Sequence, residues 1–155
     1  MSQPSCFLIG HRETQPDLLP LLEECIEAHI VDFGVKEFIV GYHGAFDRLA
    51  TSALIRAKMR HPEITLTLLL AYHPADRPIE KPECFDGTYY PPGMEHVPRQ
   101  FAIVRANRYI TACVDYLIIH AWHPASNSRN LLEYAQRLAI KGNLHVTVLQ
   151  REHRT

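Results

Sequence analysis

The sequence predicts an α/β fold of the doubly wound, Rossmann-like kind: a mainly parallel five-stranded sheet with helices on both faces. Two patterns point there. Short apolar runs alternate with amphipathic stretches along the whole chain, and the runs lack the polar alternation of a half-solvated strand, as strands covered on both faces do. The runs also end in glycines and histidines, small and polar residues suited to loops at a sheet edge. At 155 residues the chain falls in the single-domain range, so all elements are expected to share one domain.

The elements follow in order. Cys6-Phe7-Leu8-Ile9 is the first apolar run, ending in Gly10, and Leu18, Leu19, Leu22, Ile26, His29 and Ile30 then recur at helical spacing up to a closing Gly34. Phe38-Ile39-Val40-Gly41 predicts a second strand, and Ala45 to Arg60 a second helix stopped by His61-Pro62. Ile64 to Ala71 reads as the third strand. From His73 to Pro98 the composition shifts, with six of the chain's eleven prolines, and this stretch is expected to run over the ligand edge as a loop or lid. Pro98 to Ile110 predicts a helix, with Phe101, Val104 and Ile110 turned to the core. Tyr116-Leu117-Ile118-Ile119 predicts a fourth strand, Arg129 to Ile140 a helix ending near Gly142, and His145 to Leu149 a fifth strand.

Composition narrows the partners. Hydrophobic residues make up 46% and charged residues 21%, which supports a core and excludes bulk disorder. No apolar run reaches the roughly 18 to 20 residues that span a bilayer, and the N-terminus shows no secretory pattern, so no membrane partner and a cytoplasmic location are expected. Sixteen basic and seventeen acidic residues leave a net charge of -1, with no global field to attract nucleic acid. Twelve of the sixteen cations are arginines, the side chain that forks onto phosphate or carboxylate. Cys6, Cys25, Cys84 and Cys113 form no CxxC pair and read as reduced, mostly buried thiols.

In an open parallel sheet, ligands bind where strands end and helix N-termini point their unpaired N–H groups. The exits here are Gly10-His11-Arg12, Gly41-Tyr42-His43-Gly44, Tyr72-His73 and His120-Ala121-Trp122-His123. Each carries a histidine, either a loop residue bonded to a carbonyl or part of a site; no HxH or HExxH spacing gathers them on a metal, and no metal or other cofactor is implied. Tyr42, Tyr72 and Trp122 are candidates to stack on a ring or to pack internally. After the last exit, Ser126-Asn127-Ser128-Arg129 lead into a helix, as a phosphate-cradling turn requires. The same residues read equally as a helix cap, for Asn130 and Glu133 have capping-box spacing. Arg105 and Arg108 share a helix face beside Asn107, either reaching the cleft or pairing with acids outside it.

These segments resemble the SLOG superfamily, the Rossmann-like group containing the Smf/DprA DNA-processing proteins, the lonely-guy phosphoribohydrolases and the YpsA-like proteins. The resemblance runs through Ile9-Gly10-His11-Arg12, Gly41-Tyr42-His43-Gly44-Ala45-Phe46-Asp47, Arg105-Ala106-Asn107-Arg108-Tyr109 before Asp115-Tyr116-Leu117-Ile118, and Ser126 to Glu133 with Tyr134-Ala135. It covers nearly the whole chain, and the Gly-x-x-Gly-x-Phe-Asp and Asn-Arg segments resemble the YpsA-like branch best. It implies a nucleotide or nucleotide derivative bound at the carboxyl edge by Gly10, His11, Arg12, Gly41, His43, Gly44, Phe46, Asp47, Arg105, Asn107, Ser126, Asn127, Ser128 and Arg129.

In the lonely-guy enzymes an arginine before the fourth strand and the glutamate of a PGGxGTxxE motif cleave an N-glycosidic bond; Arg108 and Glu133 take those places. Aligned on Glu133, the glycine positions fall on Ser126, Asn127 and Arg129, and the threonine on Asn130. The first functional expectation is therefore a sensor or accessory module that holds a nucleotide derivative. The alternative is a hydrolase of a nucleotide N-glycosidic bond, with Arg108 or Arg105 orienting the substrate and Glu133 supporting an oxocarbenium-like state. The oligomeric state stays open, a homodimer included.

Overall fold

A computed structural model describes residues 3–122 and 126–150. Its sheet is built from β1 (Ser5–Gly10), β2 (Glu37–Val40), β3 (Thr65–Leu69), β4 (Gly87–Tyr89), β5 (Tyr116–His120) and β6 (His145–Val148), and its long helices are α1 (Leu19–Val31), α2 (Ala45–Arg60), α3 (Ala102–Cys113) and α4 (Asn127–Ile140). The strand order is β4-β3-β2-β1-β5-β6, and every pairing is parallel. The expected α/β architecture is present, with six strands rather than five.

β1 shows why its sequence is a continuous apolar run. Cys6 and Leu8 belong to one core layer, with Leu22 and Ile26 of α1 and Leu54 and Ala57 of α2. Phe7 and Ile9 belong to the other, with Ala106 and Ile110 of α3 and Leu132 and Ala135 of α4. Successive side chains leave a strand on opposite faces, so both sets must be apolar when helices cover both faces. Chain order places α1 and α2 on one side of the sheet and α3 and α4 on the other. The winding reverses between β1 and β5, which pair from Cys6↔Tyr116 to Gly10↔His120. That reversal opens a crevice at the carboxyl ends of these two strands.

The sixth strand lies inside the proline-rich stretch. The chain leaves β3 at its carboxyl end and descends to Phe85, which is buried in the core. Asp86 then exchanges backbone and side-chain hydrogen bonds with Leu66 and receives Lys58 Nζ at 2.6 Å. From that anchor Gly87 to Tyr89 climb beside β3, in register Thr67↔Gly87 to Leu69↔Tyr89. The stretch expected as a loop or lid thus contributes a three-residue edge strand.

Three further expectations are corrected. α3 begins at Ala102 after a 3-10 turn over Arg99–Phe101, and its buried face is Ala102, Ala106, Ile110 and Thr111. Phe101 and Val104 are exposed instead, at 55% and 38%. α4 begins at Asn127 with Ser126 as its cap: the serine oxygen accepts the Arg129 N–H at 3.1 Å, so Asn130 lies inside the helix. Of the four cysteines only Cys6 is fully buried, while Cys84 and Cys113 are exposed. Among the described residues no helix is long and apolar enough to cross a membrane.

Candidate functional site

The crevice holds a cleft of about 300 Å³, and its floor is Phe7, Ile9 and Gly10 of β1 with Gly41 just past β2. Two glycines are needed for the walls to close. A Cβ on Gly10 would stand 2.4 Å from Phe46 Cγ, and one on Gly44 would stand 2.6 Å from Arg12 Cα. Phe46 is fully buried, so it is a core residue that packs beneath the site and does not line the cleft. Gly44 lets the start of α2 meet the loop after β1, where the Ala45 and Phe46 N–H groups donate to the carbonyls of Arg12 and His11 at 2.9 and 3.3 Å. These donors of α2 are thereby occupied by protein.

The helix that faces the cleft with its first turn is α4. Ser126, Asn127 and Ser128 line the cleft, and N–H groups of a first turn have no acceptor within their own helix. Ser128 is only 7% exposed overall, yet it lines the cleft. Opposite it, Arg12 lines the cleft from an exposed loop, with no ion pair within 4.0 Å among the described residues. Asn107, Ile103 and Val104 of α3 supply the remaining wall.

Two titratable groups sit at the β2–α2 turn. Asp47 Oδ2 accepts the His43 N–H at 2.8 Å, yet burial dominates and raises its pKa to about 6, against the opposing pull of that bond and of Arg12 and Arg48. Burial, with the positive fields of Arg12 and Arg77, lowers the His43 pKa to about 4, so its imidazole is neutral at pH 7. Tyr42 packs on the His43 ring at 4.1 Å between centroids, and Tyr72 meets it edge-on at 6.4 Å. Both tyrosines therefore frame His43, outside the cleft lining.

The exit histidines share one edge of the sheet but have separate roles. His11 is buried between the rings of His120 and Trp122, at 5.7 and 5.1 Å. His120 Nδ1 lies 2.9 Å from the Leu149 carbonyl, which can only accept, so that nitrogen carries the proton. His73 is exposed and accepts the Ala75 N–H, capping its own turn. His123 lies outside the described residues. Among the described residues, no three His, Cys, Asp or Glu side chains are arranged to hold a metal ion.

Gly10, His11, Arg12, Gly41, His43, Gly44, Asp47, Asn107, Ser126, Asn127 and Ser128 thus converge on the cleft as read from the sequence. Arg105, Arg108 and Glu133 do not; all three are exposed. Arg108 lies over the Tyr134 ring at 4.6 Å, held by a cation–π contact on the outer side of α3 and α4. Arg129 opens into a neighbouring cavity. Glu13, Ile103 and Val104 line the cleft without having been singled out. Glu13 follows Arg12 directly, and the apolar pair was hidden because an apolar residue on an amphipathic helix reads as core.

The fold and this crevice define the chain as a doubly wound α/β protein with a small-molecule-sized cleft at the reversal of its sheet. No family model matches the sequence, and the search of curated proteins returns no match, so the SLOG resemblance stands on its motifs.

Proposed function

We propose that this cleft binds the phosphate of a nucleotide or nucleotide derivative, and that the protein holds this ligand as a sensor or accessory module. The observation that carries the reading is the convergence of Ser126, Asn127 and Ser128, at the first turn of α4, with Arg12 on one cleft. An anion there meets the positive end of the helix and the guanidinium of Arg12, so donors from two separate elements converge on it. Gly10 and Gly44 let Phe46 and the Arg12 loop pack closely enough to shape the rest of the cleft. The motif resemblance supplies the nucleotide part of the reading.

Calorimetric titration with nucleoside monophosphates, ADP-ribose and NAD, followed by analysis for released base, tests it. Binding without release is expected. Each charge-assisted bond is worth roughly 1.5–3 kcal/mol, so Arg12→Ala is expected to weaken binding about tenfold or more. Variants R12A and S128A that bind every tested nucleotide as the parent does would refute the site. Released base would favour the hydrolytic alternative and would direct attention to Asp47 or Glu13, carboxyls that line the cleft, in place of Glu133.

A further inference from the structure

A second cavity, of about 430 Å³, lies beside the first, and Glu13 and Trp122 line both. Its volume is near the lower end of the roughly 300–1,000 Å³ of small-molecule sites, which suits a compact ligand. Arg129, on the first turn of α4, lines this chamber together with Glu13 from the loop after β1. Among the described residues no ion pair within 4.0 Å joins the two. A cation and an anion therefore border one space without neutralising each other.

His120 adds a fixed acceptor. Its imidazole is only 5% exposed, stacks with the Phe46 ring at 6.4 Å and meets His11 edge-on at 5.7 Å. Nδ1 is committed as a donor to the Leu149 carbonyl, so the neutral ring keeps Nε2 as its acceptor, and this residue lines the chamber. Leu18 and Ala121, both buried, form an apolar part of the lining. Trp122 extends it with an indole held edge-on against His11 at 5.1 Å. Asp17, also in the lining, already has an interaction of its own and is assigned no contact.

We infer that this chamber binds an α-amino acid as its zwitterion: carboxylate on Arg129, ammonium on Glu13 and His120 Nε2, and an apolar side chain against Leu18, Ala121 and Trp122. The chemistry matches group by group. A guanidinium forks onto a carboxylate, whereas an ammonium has three protons to donate and takes a carboxylate and an imidazole lone pair as acceptors. A simple anion is repelled by Glu13, and a simple amine is repelled by Arg129. A ligand carrying both charges answers both. This site is separate from the phosphate reading and does not depend on it.

Trp122 is the only tryptophan of the chain, so intrinsic fluorescence reports on the chamber. The full chain is titrated with leucine, isoleucine, valine, methionine and phenylalanine, with calorimetry in parallel. The decarboxylated amine and the deaminated acid of the tightest binder serve as controls. At least one amino acid is expected to bind saturably, about tenfold or more tightly than either control. Arg129→Gln should cost the amino acid about tenfold while the amine binds no more weakly than before. Glu13→Gln should cost it about tenfold while the acid binds no more weakly than before. If R129Q does not fold, E13Q, on an exposed loop, decides. No saturable binding at about 10 mM, binding that a control matches, or binding that both variants leave unmoved would overturn the inference. Inorganic phosphate separates the two sites: the bound amino acid should persist at saturating phosphate. Displacement by phosphate would put the amino acid in the first cleft and overturn the second site, whereas failure of phosphate to bind would sink the phosphate reading alone.

Discussion

Replacing Asp47 with asparagine is expected to stabilise the protein at neutral pH, because the cleft holds this carboxylate against its own solvation. Its folded-state pKa is raised from 3.8 to about 6, with burial the largest cause. The native state therefore binds the proton more tightly than the unfolded chain does. This contribution is most favourable below the unfolded pKa, declines as pH rises between the two values, and is flat above the folded one. Between pH 4.5 and 7.5 the wild type loses about 2 kcal/mol from this group, on the scale of 1.36 kcal/mol per pKa unit.

Asparagine keeps an oxygen to accept the His43 N–H and carries no charge. Urea unfolding of both proteins at the two pH values isolates the effect, since every other titrating group cancels in the comparison. The N-for-D advantage should be larger at pH 7.5 than at pH 4.5 by about 2 kcal/mol. An advantage that does not change with pH, or one that grows toward acid, would show that Asp47 is not held in a charge-disfavouring site.

Other perturbations follow from the same geometry. His29 is buried with its Nε2 lacking a partner among the described residues and its pKa lowered chiefly by burial; stability from this residue is present above pH about 6.5 and falls as pH drops below it. Unfolding of His29→Leu should accordingly vary less between pH 6.5 and 5 than the parent, and an unchanged slope would contradict this. Gly10→Ala drives a methyl group into buried Phe46 and should cost about 1–3 kcal/mol, part of it recovered in the double variant with Phe46→Leu. Ser126→Ala should lose about 1 kcal/mol of stability with its cap, whereas Ser128→Ala should lose ligand affinity at nearly constant stability; the reverse pattern would exchange their roles. Arg108→Ala and Glu133→Gln should leave nucleotide affinity within about twofold, and a tenfold loss in either would return it to the site.

The central strands and the helices around them were legible because burial on both faces leaves an apolar run in β1, β2 and β5 and at the end of β3. β4 was not. It is three residues long, its Thr88 and Tyr89 are exposed, and its place depends on Asp86 meeting Leu66, a contact without local pattern. At the site, sequence position identified which loops meet, since strand exits converge in any doubly wound sheet. Direction was harder. Arg108 and Asn107 are neighbours in sequence, yet one lies over Tyr134 and the other lines the cleft, because adjacent helical residues point about 100° apart. Nor could local sequence show that the first turn of α2 is used by the carbonyls of His11 and Arg12 while that of α4 faces the cleft.

β4 also bears on solubility. A strand at the border of a sheet presents unpaired backbone groups that can recruit a strand from another molecule, and long flat borders are the most hazardous. Here that border is only Gly87 to Tyr89, with Pro82 before it and Pro91 and Pro92 after it, residues that have no N–H to offer an incoming chain. The stretch that lengthens the sheet by one strand therefore also caps it, and little of that side is left for a neighbouring molecule to template on.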